Sequence, residues 1–311
     1  MKNKFFVLLV LAMVSCSEKN TSHSLGILAA EEPSVIDVMP ETYTDIDNQS
    51  EPEETWTEEQ RVEYFFSKYS HIANETLRKI EALYRAFKWD IWGLDSKLPQ
   101  EMTNLLLDFL KQEENWSIDV GNELSFMHRS ISEDGMVRIY NWEFESATGD
   151  TYHTILQYKS ELDTINVVQI SGWSGDYKQF RQLGFIWGAE YGVGFKIAEQ
   201  TYLLWAHARA GGFMSLISFV AVRLLDGKLE PYMAFNGDNY LGLLAGEQNG
   251  GIIQHHFDLQ FNEKPFSIRI FYNPHGISDR EPDSFLDFIF NGSEFMGDYN
   301  RLNEVANFRR F

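Results

Sequence analysis

Glu143, Glu145 and Glu190 are the side chains of this sequence best suited to acid and base work. Cleavage of a glycosidic bond needs two carboxylates at the right separation and no local motif. Glu143 and Glu145 share one face of a predicted strand beside Trp142, and Glu190 stands between Trp187 and Tyr191. A solvent-facing strand edge and a loop acid account for the same residues without chemistry. The eight histidines contain no pair four residues apart with an acid between them, the spacing that sets two imidazoles on one helix face. His255 and His256 are neighbours in a predicted strand and point to opposite sides. No metal and no cofactor is expected from local spacing; only a metal site gathered from distant strands stays open. Gly172-Trp173-Ser174-Gly175 lacks the second spacer residue of a nucleophile elbow and reads as a turn. The glycines at 184, 188, 192 and 194 do not have dinucleotide-loop spacing.

Aromatics and glycines alternate from Gly172 to Phe195 with no lasting period of 2 or 3.6. Glycine permits close approach and unusual backbone angles, and an exposed aromatic can stack on a sugar or anchor a partner. Trp173, Tyr177, Trp187 and Tyr191 are therefore the candidate ligand-binding residues, for a glycan or a protein. The competing reading is that these rings fill the core, which a sheet protein with 24 Phe, 14 Tyr and 8 Trp needs in any case.

The elements that would position these residues begin after an export signal. Lys2 and Lys4 precede an apolar run from Phe5 to Val14, followed by Ser15 and the chain's only cysteine, Cys16. Ten apolar residues make about 15 Å of helix, roughly half a bilayer core, too short for a permanent span. Met13-Val14-Ser15-Cys16 resembles the lipobox of bacterial lipoproteins, with Met13 where leucine is usual. The resemblance implies cleavage before Cys16, lipidation of that cysteine and a membrane anchor made of acyl chains. Ser17 after the cysteine is compatible with sorting to the outer membrane in the lipoproteins it resembles. With Cys16 acylated, no thiol nucleophile and no internal disulfide remain, so the fold must stand on its core.

The expected organisation is a signal peptide over 1–15, a lipidated cysteine and acidic flexible tether over 16–55, a helical hairpin over 56–120 and an antiparallel β-rich domain over 121–311. The tether is polar and acidic, with Pro33, Pro40 and Pro52 spread through it. The formal net charge of -20 is concentrated there and at the start of the helical part, so a phosphate backbone would be repelled and nucleic acid is excluded as a partner. Thr57 and Gln60 have capping-box spacing with Glu58 and Glu59 in the first turn. Apolar residues then recur at steps of three and four from Val62 to Phe87, which predicts one long amphipathic helix, and a shorter one follows over Met102 to Leu110.

Beyond Gly121 the period shortens to 2. Strands are predicted at Met136 to Phe144, Thr151 to Lys159, Thr164 to Ile170, Tyr202 to Ala208, Ser215 to Leu225 and Leu229 to Phe235. Three more are predicted at Gly251 to Phe261, Pro265 to Tyr272 and Ser284 to Phe290. Short connections such as Asp226-Gly227 imply an antiparallel meander. The fold class is therefore α+β, mainly β, as a sandwich or a curled, barrel-like sheet, because periodicity reports burial and not closure.

The run Asp134-Gly135-Met136-Val137-Arg138-Ile139-Tyr140-Asn141-Trp142, with Thr148-Gly149-Asp150-Thr151 and the strand ending Leu156-Gln157-Tyr158-Lys159, resembles a segment of uncharacterised exported lipoproteins of Bacteroides-type bacteria. The likeness covers about half the chain and implies a cell-envelope protein; it carries over no catalytic residue. Three functions stay open: a non-enzymatic binding module held off the membrane, a glycan hydrolase using paired carboxylates, and a structural envelope component.

Overall fold

The computed structural model describes residues 56–89, 96–144, 151–160, 163–172, 183–185, 188–209, 215–245, 258–263, 266–272 and 284–305. Helices come first: α1 Glu58–Lys68, α2 Glu75–Trp89 and α3 Leu98–Lys111, then a 3-10 turn Glu113–Ser117 and the short α4 Val120–Glu123. Thr57 caps α1 reciprocally, its hydroxyl accepting from the Gln60 N–H at 3.3 Å and its own N–H donating to Gln60 Oε1 at 2.9 Å.

The expected single helix from Thr57 to Phe87 is two helices, and the expected hairpin is a group of three. The break lies at Asn74. Its side chain accepts from the Leu77 N–H at 3.1 Å and its carbonyl from Arg78 at 2.9 Å, so the chain leaves α1 and restarts with a new N-cap. The apolar spacing runs on across the break because α1 and α2 pack on one core. Asn74→Ala is expected to cost about 1 kcal/mol, read from the urea midpoint at unchanged slope. Asn74→Asp keeps the acceptor and should stay near the parent; equal losses from the two substitutions would refute the capping role.

Thirteen strands follow among the described residues. Sheet 1 is the meander β1 His128–Ile131, β2 Val137–Phe144, β3 Thr151–Lys159 and β4 Ile165–Ser171. Sheet 2 runs β5 Glu190–Ala198, β6 Thr201–Arg209, β7 Ser215–Leu225 and β8 Lys228–Pro231, with β9 Tyr240–Ala245 also paired to β7. Sheet 3 is β10 Asp258–Glu263, β11 Phe266–Tyr272, β12 Ser284–Phe290 and β13 Phe295–Met296; the helix α5 Tyr299–Val305 follows it. Every pairing is antiparallel. The protein is mainly β, with the helix group ahead of the strands and no closed barrel, so of the two expected architectures it is the layered one.

Three cores follow from the strand alternation. On β2 and β3, Tyr140, Trp142 and Ile155 pack on the helices, while Val137, Ile139, Leu156 and Tyr158 pack on Tyr202, Leu204 and Val220 of sheet 2. The other face of sheet 2, with Leu203, Phe219 and Ala221, packs on Ile268, Ile270 and Phe288 of sheet 3. The layers are thus helices, sheet 1, sheet 2 and sheet 3. Because sheet 2 is covered on both faces, β7 reads as a nearly continuous apolar run.

Polar links between layers are specific. Glu81 of α2 is fully buried; its carboxylate takes the Arg85 guanidinium at 2.9 Å and the Ser125 N–H at 3.1 Å. Arg138 and Lys159 both lie against the Trp116 ring, 3.9 and 4.8 Å from its centroid, which ties sheet 1 to the 3-10 turn. Asp134, in the turn between β1 and β2, accepts from the Tyr202 hydroxyl at 2.8 Å and from Lys196 Nζ at 2.8 Å. Burial would raise its pKa, but these two partners with Ser132 and the Met136 N–H hold it at about 2.

Candidate functional site

The two candidates from the sequence that stand side by side, Glu190 and Tyr191, open β5. This strand lacks a clean period because its register shifts between Val193 and Phe195 and again between Lys196 and Ala198. Tyr191 and Val193 pack toward sheet 1, whereas Phe195 and Ile197 pack toward sheet 3, although a regular strand would put all four on one face.

β5 is also the edge of sheet 2, and sheet 1 covers that edge with side chains. Asn141 donates to the Tyr191 carbonyl at 2.7 Å and accepts from the Tyr191 N–H at 2.9 Å, standing in for a neighbouring strand. The Thr154 hydroxyl donates to the Ala189 carbonyl at 3.0 Å, and the Val193 N–H donates to Ser130 Oγ at 2.9 Å. The Gly188 N–H donates to Ser171 Oγ at 2.8 Å. An exposed edge that would otherwise template pairing with another chain is thereby closed.

Tyr191 is 1% exposed, with Phe185 edge-on to it at 5.4 Å between centroids. Its ring is taken up by the core between sheets 1 and 2 and offers no face to a ligand. Trp173, Tyr177 and Trp187, the other three candidate contacts, lie outside the described residues, as does Cys16.

Glu190 is half-buried beside Tyr191, cross-strand from His207. Burial raises its pKa, and the nearby His128 pulls it the other way. Two residues along from Glu190, the Trp205 indole lies over Gly192, where a β-carbon would stand 2.3 Å from the ring. A carboxyl with raised proton affinity, the His207 imidazole and the Trp205 indole therefore share this corner of sheet 2, with His128 of sheet 1 nearby. The charge that moves Glu190 is that of His128, whereas Glu143 acts on Tyr84 of α2, whose hydroxyl donates to the Glu143 carbonyl at 3.1 Å. Glu145 lies outside the described residues.

Of the histidines, His153 is 1% exposed, tilted against Trp142 at 5.4 Å between centroids, and burial pushes its pKa down to about 3. Gly172 covers it, at φ 126° and with a β-carbon position only 2.6 Å from His153 Nδ1, so no other residue fits there. Among the described residues no group of three or more His, Cys, Asp or Glu could hold a metal ion. No described helix is long and apolar enough to cross a membrane.

A second concave surface lies in the helical layer. A groove of about 530 Å³ runs between α1, α2 and the start of α3, within the size range of ligand pockets. Val62, Phe66, Leu83 and Leu98 form its apolar part, with Val62 and Phe66 only partly buried. Glu58, Glu59, Glu63 and Glu101 line it with Lys79 and Lys97, and Lys79 Nζ reaches Glu101 at 3.0 Å. Sequence reasoning placed Glu58 and Glu59 on the helix dipole and Val62, Phe66 and Leu83 on a buried helix face. What it lacked was the break at Asn74, without which α1 and α2 are one rod and no groove exists.

Comparison with protein-family models, curated proteins and solved structures finds no match.

Proposed function

We propose that the protein is a lipid-anchored component of the cell envelope, sorted to the outer membrane, whose folded part binds a partner and does not turn over a substrate. The observation that carries the anchor is the position of the only cysteine, directly after a basic and apolar leader and a small residue. Several acyl chains on Cys16, each contributing about 0.8 kcal/mol per buried CH₂, would hold the protein without a spanning helix. The acidic stretch that follows would keep the fold away from anionic head groups.

The binding reading is supported by a ready groove in the helical layer. The hydrolase reading keeps Glu190 in its favour, since a carboxyl whose proton is held more tightly is what a general acid needs. The two differ in turnover. The purified full-length protein, incubated with envelope polysaccharides and peptidoglycan, should release no new reducing ends. Release abolished by Glu190→Gln would overturn the binding reading.

The anchor is tested at Cys16 itself. Wild type grown with an alkyne fatty acid should carry the label and partition into the detergent phase, and Cys16→Ser should lose both properties. Native protein with a free sulfhydryl and an intact leader would refute the anchor.

A further inference from the structure

We infer that the groove between α1, α2 and α3 is a docking site for a basic amphipathic segment of another envelope protein, one carrying large apolar side chains flanked by Lys or Arg. The inference rests on the interaction-module reading and names the partner's chemistry. The groove offers what a helix or short peptide needs from a receptor, an apolar floor that is incompletely covered and a charged rim that selects the sign of the visitor. Leu83 and Leu98 are almost fully buried at its base, while Val62 and Phe66 on α1 retain exposed surface. Phe66 has the Arg78 guanidinium 4.1 Å from its ring centroid, so a cation already sits against this aromatic.

The rim decides between occupants. Four glutamates against two lysines leave it net negative, and Lys79 is already engaged by Glu101. Glu58, Glu59 and Glu63, on the first two turns of α1, then face Lys97 alone among the lining residues. The chain's own segment from Glu31 to Glu54 has nine acids and no Lys or Arg, a charge that disfavours it as the occupant of this rim. The same sign disfavours anionic lipid head groups. A segment whose apolar side chains fill the floor and whose basic residues meet the rim glutamates satisfies both halves of the groove.

The probe is a fluorescein-labelled helical peptide of Leu and Lys, compared with one in which Glu replaces every Lys and one in which Ser replaces every Leu. With full-length protein in detergent, fluorescence anisotropy should show saturable binding of the Leu/Lys peptide, at least about tenfold tighter than either control. Added salt should weaken it. Glu63→Lys should weaken it by about tenfold with an unchanged urea midpoint, and Glu59→Lys by a similar factor with a small fall in midpoint, because it takes an acid from the first turn of α1. Glu230→Lys, on exposed β8 of sheet 2, should leave it unchanged, which separates the groove from general attraction to an acidic protein. Equal affinity of the groove variants and the parent, equal weakening by Glu230→Lys, or binding of the Ser peptide as tight as that of the Leu peptide would each overturn the inference. Such a failure leaves the Cys16 label untouched, and loss of that label leaves the groove untouched, so the two readings fail separately.

Discussion

Asn141→Ala is expected to lower the stability of the fold by about 3–5 kcal/mol, the largest effect of any single polar substitution considered. The Asn141 side chain is 2% exposed and satisfies both backbone groups of Tyr191, while its Oδ1 also takes the Thr154 hydroxyl at 2.8 Å. Truncation leaves a buried N–H and a buried carbonyl without partners, at about 1–3 kcal/mol each, and opens a small void. Typical domains have about 5–15 kcal/mol in all, so the variant should be marginal. The urea midpoint should fall steeply at unchanged slope, and amide exchange at Tyr191 and Val193 should accelerate together because the edge of sheet 2 is uncovered. Asn141→Asp separates the hydrogen bonds from the volume. As a carboxylate it faces the Tyr191 carbonyl and should be nearly as damaging at pH 7. Once protonated it regains a donor and an acceptor. Its native pKa is raised by this environment, so its stability should recover as pH falls toward and below that raised value. A loss under 1 kcal/mol for Asn141→Ala would mean that the layers hold together without this side chain.

The sequence made some of this architecture plain and hid the rest for identifiable reasons. The capping box at Thr57 and the alternation over β2 and β3 are local patterns, and the helix start and the strands they predict stand where expected. β5 escaped because two register shifts exchange its faces midway, leaving no period to count. The sandwich could not be chosen over a barrel because alternation shows that a face is buried and not what buries it. Asn141 read as one of the polar residues interleaved with the apolar ones of β2, yet its partner is 50 residues away on another sheet. Tyr191 was named for its aromatic type, which serves core and surface equally well. The groove depends on one missed cap at Asn74. For the choice of sandwich and for Asn141 the missing term is a contact between layers, for which a single sequence carries no local sign, whereas the Asn74 cap is local and was masked by the apolar spacing that runs on across it.

The second large effect is a dependence of stability on pH set by His153. Burial depresses its pKa from the ordinary 6.5 to about 3. Between those values the unfolded chain binds a proton at this site that the native protein does not, so stability falls as pH falls. The sign is that of a histidine folded in its neutral form. Its contribution is intact above pH 6.5 and is lost progressively down to about pH 3. At about 1.4 kcal/mol per pH unit, roughly 2 kcal/mol should be gone by pH 5 and about 4–5 kcal/mol by pH 3. Asp134 adds a loss of the same direction only below pH 3.8, where the unfolded carboxylate begins to protonate and the native one, at about 2, does not. Glu190 acts oppositely, since its raised pKa adds stability as pH falls through the raised value. The window from pH 6.5 to 5 therefore belongs mainly to His153. His153→Gln should destabilise the fold at pH 7.5 through imperfect packing against Trp142 but flatten the slope in that window. Urea midpoints at pH 7.5, 6 and 5 for both proteins give the measurement. Parallel slopes in parent and variant would show that another group drives the acid transition and that His153 is protonated in the native state.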